Sequence, residues 1–88
     1  MLRFAAMSLA NIVAQNLGAL RQERKLSQQA VATKTKLSVS YISMLERGMR
    51  VPPLETLEVL AKALGVPPLD LLEKSPAKAK RSKPRGRR

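Results

Sequence analysis

Two short apolar patterns, each preceded by a serine, follow one another almost without a gap in the stretch "LSQQAVATKTKLSVSYISMLERG". Serine is a favoured N-cap residue, because its hydroxyl oxygen accepts a hydrogen bond from a backbone N–H of the first helical turn. Ser27 therefore predicts a helix over residues 28–34, and Ser38 predicts another over residues 39–47. Only residues 35–37 are left for the turn between them. A chain that ends a helix after two turns and begins another at once is suited to holding the second helix at a fixed angle.

The remaining apolar patterns are also helical. Residues at spacings of three, four and seven predict a first helix over 9–24, a fourth over 54–64 and a short fifth over 68–72. Gly48 and Gly65 follow the third and fourth helices, where a glycine in the left-handed region commonly ends a helix. No strand pattern and no internal repeat is present in the sequence, so the predicted fold class is all-α with five short helices.

The composition excludes most chemistry. The 88 residues include no Cys, His or Trp, which removes disulfides, the usual zinc ligands and the commonest general base. We therefore expect no enzyme activity, no catalytic residue, no metal site, no cofactor and no small-molecule ligand. No apolar run approaches the ~20 residues of a membrane span. The expected location is the cytoplasm, associated with the nucleoid.

Positive charge is concentrated at the C-terminus. Of 17 Lys and Arg residues, eight lie after Glu73 in "KSPAKAKRSKPRGRR", where there is no acidic residue. The sequence thus predicts a flexible N-terminus over 1–8, a folded domain over 9–73 and a disordered basic tail over 74–88. With a formal net charge of +11, the chain is expected to bind a polyanion, to which the tail contributes most of the attraction.

Three segments in this order, "LGALRQERKLSQQAVA", "LSVSYISMLERG" and "PPLETLEVLAKALGVPP", resemble the Xre family of phage repressor and Cro type helix-turn-helix regulators. The resemblance covers about residues 13–72. It implies a lambda-repressor-like helix-turn-helix domain that binds double-stranded DNA as a two-fold homodimer and regulates transcription, as a repressor. In such proteins the third helix, here 38–47 with its cap, lies in the major groove.

The resemblance also implies roles for individual residues. The base-reading positions correspond to Val39, Ser40, Ser43, Met44 and Arg47. The phosphate-binding positions correspond to Gln28, Gln29, Ser38, Lys36 and Tyr41. Arg21 and Glu46 match a structural ion pair, and the dimer interface corresponds to Val66, Leu69 and Leu72.

The sequence departs from the family pattern at three positions. Lys36 stands where the family usually has a glycine in the turn, while Pro53 and Pro67 stand where it often has a helix-capping side chain. A lysine that keeps positive φ costs about 1 kcal/mol, so these departures bear on stability.

Several alternatives stay open. The domain is alternatively an adaptor, in which Val39 and Met44 complete an apolar surface for a protein partner and the basic tail contacts RNA or DNA. The apolar residues Val66, Leu69 and Leu72 could instead close the core of a monomer. For the tail, a solvated end without a nucleic-acid role is the other interpretation.

Overall fold

Five α-helices account for most of residues 8–73, which are the residues that the computed structural model describes. The helices are α1 Leu9–Glu23, α2 Gln28–Thr35, α3 Val39–Glu46, α4 Leu54–Leu64 and α5 Leu69–Leu72. Within these residues there is no strand, so the predicted all-α class is confirmed. The predictions for residues 1–7 and for the basic tail lie outside the described part of the chain.

Serine hydroxyls cap the first three helices. Ser8, Ser27 and Ser38 each accept a hydrogen bond from the backbone N–H three residues later, at 3.2, 2.9 and 3.0 Å. These bonds satisfy N–H groups that lack an intrahelical acceptor. The N-caps of α4 and α5 are Pro53 and Pro68, and neither makes a side-chain cap bond. The prediction that placed the second uncapped start at Pro67 is therefore one residue early.

The turn between α2 and α3 is built around Thr35 and Lys36. Thr35 belongs to α2, one residue beyond the predicted end, and its buried hydroxyl donates to the Val31 carbonyl at 2.8 Å. Its oxygen also accepts from the Leu37 N–H at 3.3 Å. Lys36 has φ 66° and ψ 23°, the left-handed conformation that favours glycine. Residues 36–38 therefore connect the two helices, one position later than the sequence predicted.

A single apolar cluster lies between the helices. α1 packs against α3 and α5, α2 packs against α3 and α4, and α4 packs against α5. The fully buried large residues of this cluster are Val13, Leu17, Leu20, Val31, Ile42, Leu45, Leu60, Leu64 and Leu71. Ala32 is 3% exposed, and its small side chain suits the close packing of α2. Leu37 is half-buried at the edge of the cluster, because it lies in the turn and outside α3.

Candidate nucleic-acid interface

One stripe of α3 faces away from the apolar cluster. Ile42 and Leu45 are fully buried on the inner face, while four of the five predicted reading positions lie on the opposite side of the helix. The first of these is Ser40, and Ser43, Met44 and Arg47 follow it after three, four and seven residues. Ser40 and Arg47 are exposed, and Ser43 and Met44 are half-buried.

Val39 differs from the other predicted reading positions. It is half-buried and packs against the apolar cluster from the first residue of α3. Its side chain is therefore shared between the core and the surface, which leaves a smaller apolar contact surface than the sequence suggested. Arg47 also differs slightly from its predicted place, because α3 ends at Glu46 and Arg47 is the C-cap residue.

A carboxylate at the end of α3 connects three helices. Arg21 of α1 donates to Glu46 through Nε at 2.6 Å and through Nη2 at 3.1 Å, so the pair is bidentate. Their side chains are only 14% and 11% exposed. The Gln28 amide Nε2 donates to the same Glu46 carboxylate at 3.1 Å. The first residue of α2 is thereby held at a defined position relative to α3.

The other predicted phosphate-binding residues surround the start of α2 and α3. Gln29 is exposed, and its amide donates to Thr33 at 3.5 Å. Lys36 is exposed in the turn, whereas Tyr41 is half-buried against the apolar cluster. The Ser38 oxygen accepts the cap bond from the Tyr41 N–H, which leaves the Ser38 hydroxyl hydrogen available for a further acceptor.

The predicted dimer residues do not share one environment. Leu69 is 63% exposed on α5, while Val66 and Leu72 are half-buried and pack against the apolar cluster. Two of the three therefore contribute partly to the core, and Leu69 presents most of the apolar area at this end of the molecule.

Asn16 is an important residue that the sequence did not single out. It is 2% exposed on α1, and its Nδ2 donates to the carbonyls of Leu71 at 3.0 Å and Glu73 at 2.8 Å. These bonds satisfy carbonyls at the end of α5 that have no intrahelical donor. The available signal was the position itself, because Asn16 lies three residues after Val13 on the apolar stripe of α1.

The charges of the domain are nearly balanced. Residues 8–73 contain eight Lys or Arg residues and six Asp or Glu residues.

Among the described residues there is no group of three His, Cys, Asp or Glu side chains able to hold a metal ion. No helix in the range 8–73 combines the length and apolar character needed to cross a bilayer.

Comparison with known proteins matches the helical part of this chain. Residues 17–71, more than half of the sequence, match the family model described as helix-turn-helix. The chain is 41% identical over 57 residues to an uncharacterized HTH-type transcriptional regulator of Sinorhizobium fredii, covering 65% of this chain and 74% of that protein. It is 48% identical over 51 residues to the immunity repressor protein of Bacillus phage phi105, where the match covers 58% of this chain but 35% of the repressor.

A solved structure shares both fold and sequence with the domain. The restriction-modification controller protein C.AhdI from Aeromonas hydrophila superimposes with a TM-score of 0.68 and 35% identity, covering 70% of this chain and 94% of that protein. The similarity therefore includes nearly the whole of this controller protein, but only about a third of the phage repressor's length.

Proposed function

The chain belongs to the helix-turn-helix family of transcriptional regulators, and on this premise we propose that it is a sequence-specific repressor that reads double-stranded DNA with α3. The observation that carries the proposal is the shared contact at Glu46, which fixes the N-terminus of α2 and the reading stripe of α3 relative to each other. A protein that contacts a phosphate and neighbouring base edges at once needs such a fixed distance between the two contacts.

Base readout would come from a small number of side chains. Ser40 and Ser43 offer hydroxyls that donate and accept, and Arg47 offers a guanidinium that suits a guanine edge or a phosphate. Met44 adds an apolar contact for a thymine methyl group. Because only Arg47 can make a bidentate bond to a base, we expect modest sequence specificity from each copy.

Phosphate contacts would come from the start of α2. Gln28 Nε2 carries two hydrogens, and the bond to Glu46 uses one of them. The other remains for a phosphate oxygen, and the positive end of the α2 dipole favours an anion at the same place. Lys36 and the Ser38 hydroxyl would extend this contact across the turn, with Gln29 and Tyr41 at its edges.

We also propose that the protein acts as a two-fold dimer. One recognition helix reads only a few base pairs, so two copies spaced one DNA turn apart, about 34 Å, are needed for useful specificity. The most exposed apolar residue of α5, Leu69, supports a contact between copies at this end of the domain. The protein would act in the cytoplasm at the nucleoid, and the basic tail would add affinity that falls steeply with salt.

A second candidate function has one observation in its favour. Met49, Val51 and Leu54, in and after the connection between α3 and α4, are 62%, 54% and 76% exposed. Exposed apolar groups of this kind occur at protein interfaces, so an adaptor that binds a protein partner is the alternative. Val39 and Met44, which the sequence suggested for this purpose, are both half-buried.

The two functions separate in one experiment. The full chain is incubated with a library of random DNA duplexes at about physiological salt, and bound duplexes are sequenced. A repressor enriches a two-fold symmetric motif, and Ser40→Ala with Arg47→Ala removes the enrichment, whereas Gln22→Ala on the exposed side of α1 preserves it. A folded protein that enriches no motif, with or without the tail, contradicts the proposal and favours the adaptor.

A further inference from the structure

One face of α4 carries four exposed residues in a line. Glu58, Val59 and Lys62 lie three, four and seven positions after Glu55, so the four residues share one side of the helix. The opposite side holds the buried residues of α4, Leu57, Leu60, Ala61 and Leu64. We call the exposed line the α4 stripe. It is acidic near the N-terminus of the helix, apolar at its centre and basic near the C-terminus.

The charges of the α4 stripe have no partner within the described part of the molecule. The salt bridges found among residues 8–73 join Arg21 to Glu46 and Arg24 to Glu23, and none involves the stripe. Glu58 and Lys62 are four residues apart, a spacing that permits an ion pair on a helix, yet they form none. The charged groups are therefore available to a partner.

A cavity borders the basic half of the stripe. It has a volume of about 310 Å³ and lies between α2 and α4, lined by Lys34, Val59, Lys62 and Ala63. Two lysines and two apolar residues thus line the cavity. Lys62 lies in the last turn of α4, where a positive charge is stabilised by the helix dipole. The dipole does not explain why the apolar side chain of Val59, next to it, is 42% exposed. The combination suits a carboxylate carried on another helix.

We propose that the α4 stripe is an interface between two copies of this chain, packed antiparallel about a two-fold axis. Glu55 and Lys62 are placed symmetrically about the midpoint between Glu58 and Val59, about 10 Å apart along the helix. In an antiparallel pair, Glu55 of each copy lies level with Lys62 of the other, and both pairs form at once. Val59 of one copy meets Val59 of the other beside the axis.

The cavity between α2 and α4 would be filled in this antiparallel pair. Glu55 of the second copy would enter between Lys34 and Lys62 of the first, and each copy would contribute two acidic and two basic side chains. A parallel arrangement would place acid against acid and base against base, which opposes association. The two Glu58 side chains lie on the same side of the axis, so their repulsion keeps the contact weak and reversible.

The α4 stripe is separate from the surfaces already assigned. The opposite, buried face of α4 packs against α2 and α5. The predicted DNA-reading residues lie on α3, and Leu69 lies on α5. The contact between copies stands without the proposed function. The effect of this contact on DNA binding rests on the proposed function, because copies bound at neighbouring DNA sites would stabilise each other through α4.

A charge swap tests the interface. Sedimentation velocity of the full chain over a concentration series, at about 150 mM salt to screen the tail, measures self-association. Glu55→Lys and Lys62→Glu are each expected to weaken association about tenfold or more, because like charges then face each other. The double variant is expected to recover part of the lost association, because the 55–62 pairs attract each other again while Lys34 repels the lysine introduced by Glu55→Lys. An equal mixture of the two single variants is expected to associate as well, because each supplies the charge that the other lacks.

The controls separate this inference from the proposed function. Lys25→Glu, an exposed position in the turn after α1, makes the same charge change as Lys62→Glu and should leave association unchanged. If the double variant and the mixture associate no better than the single variants, the inference is overturned. If Leu69→Glu abolishes association and the charge changes have no effect, the α4 interface is contradicted and a dimer through α5 is supported. A wild-type chain that stays monomeric at every concentration overturns both contacts, and the DNA selection experiment is unaffected.

Discussion

The guanidinium of Arg21 and the carboxylate of Glu46 form a two-point ion pair, with Nε to Oε2 at 2.6 Å and Nη2 to Oε1 at 3.1 Å. The same guanidinium donates to the Leu26 carbonyl at 2.8 Å, and the same carboxylate accepts from Gln28. Two side chains thus fix α1, the turn that follows it, and the facing parts of α2 and α3.

Arg21→Met is expected to lower the free energy of unfolding by on the order of 3 kcal/mol, because Glu46 would keep its charge with one donor left in a mostly buried site. Replacing both residues, as Arg21→Met with Glu46→Met, is expected to cost less than the sum of the single changes, since no charge is then stranded. Urea denaturation of the three variants measures this coupling. Strictly additive losses would show that the pair contributes as two independent surface charges.

Gln28→Ala is expected to weaken DNA binding about tenfold, the loss of roughly one hydrogen bond to a charged group, without altering the preferred sequence. The reason is that a phosphate contact positions the protein but does not distinguish bases. Gln29→Ala serves as the matched control and should have a smaller effect, because Glu46 holds the Gln28 amide in place and Gln29 is exposed. Fluorescence anisotropy with a selected duplex and a scrambled duplex measures both quantities. A changed base preference in Gln28→Ala would assign that amide to a base edge.

Asn16→Ala is expected to lower the free energy of unfolding by about 2–3 kcal/mol, from two lost hydrogen bonds of about 1 kcal/mol each and a small cavity. A helix of four residues is not stable alone, so α5 depends on Asn16 and on the buried Leu71 for its position. Hydrogen exchange should therefore accelerate first at the amides of residues 70–73. Asn11→Ala, on the exposed side of α1, is the control. Unchanged exchange in α5 would mean that apolar contacts alone hold this helix.

The sequence predicted the helices well because their starts and stops are local. Ser27 and Ser38 form their cap bonds within three residues, and Gly65 ends α4 at the predicted residue. The role of Asn16 depends on carbonyls 55 and 57 residues away, and no local pattern contains that information. An asparagine within an apolar stripe could equally have been a solvent-facing residue.

The environments of the candidate site residues were harder to predict than the helices. The half-burial of Val39 depends on the rotation of α3 about its own axis, which is set by packing against α1 and α2. Helical periodicity is also uninformative for α5, because four residues make about one turn and do not define an apolar face. This explains why the partial burial of Leu72 and the exposure of Leu69 were not predicted. Val66, which also packs partly in the core, lies in the connection before α5, where no helical pattern applies.

Lys36→Gly is expected to change stability and DNA binding in opposite directions. Glycine adopts positive φ without a steric penalty, so the free energy of unfolding should rise by about 0.5–1 kcal/mol, after allowance for the greater entropy of glycine in the unfolded chain. Lys25→Gly, at the other described lysine with positive φ, removes an equal charge and should raise the free energy of unfolding by a similar amount. Thermal denaturation compares the two. If Lys36 also contacts a phosphate, the plot of log affinity against log salt should become shallower by about one unit in Lys36→Gly and remain unchanged in Lys25→Gly. An unchanged slope in both variants would mean that Lys36 makes no phosphate contact. A loss of stability in Lys36→Gly would show that the lysine side chain stabilises the turn by more than its backbone strain costs.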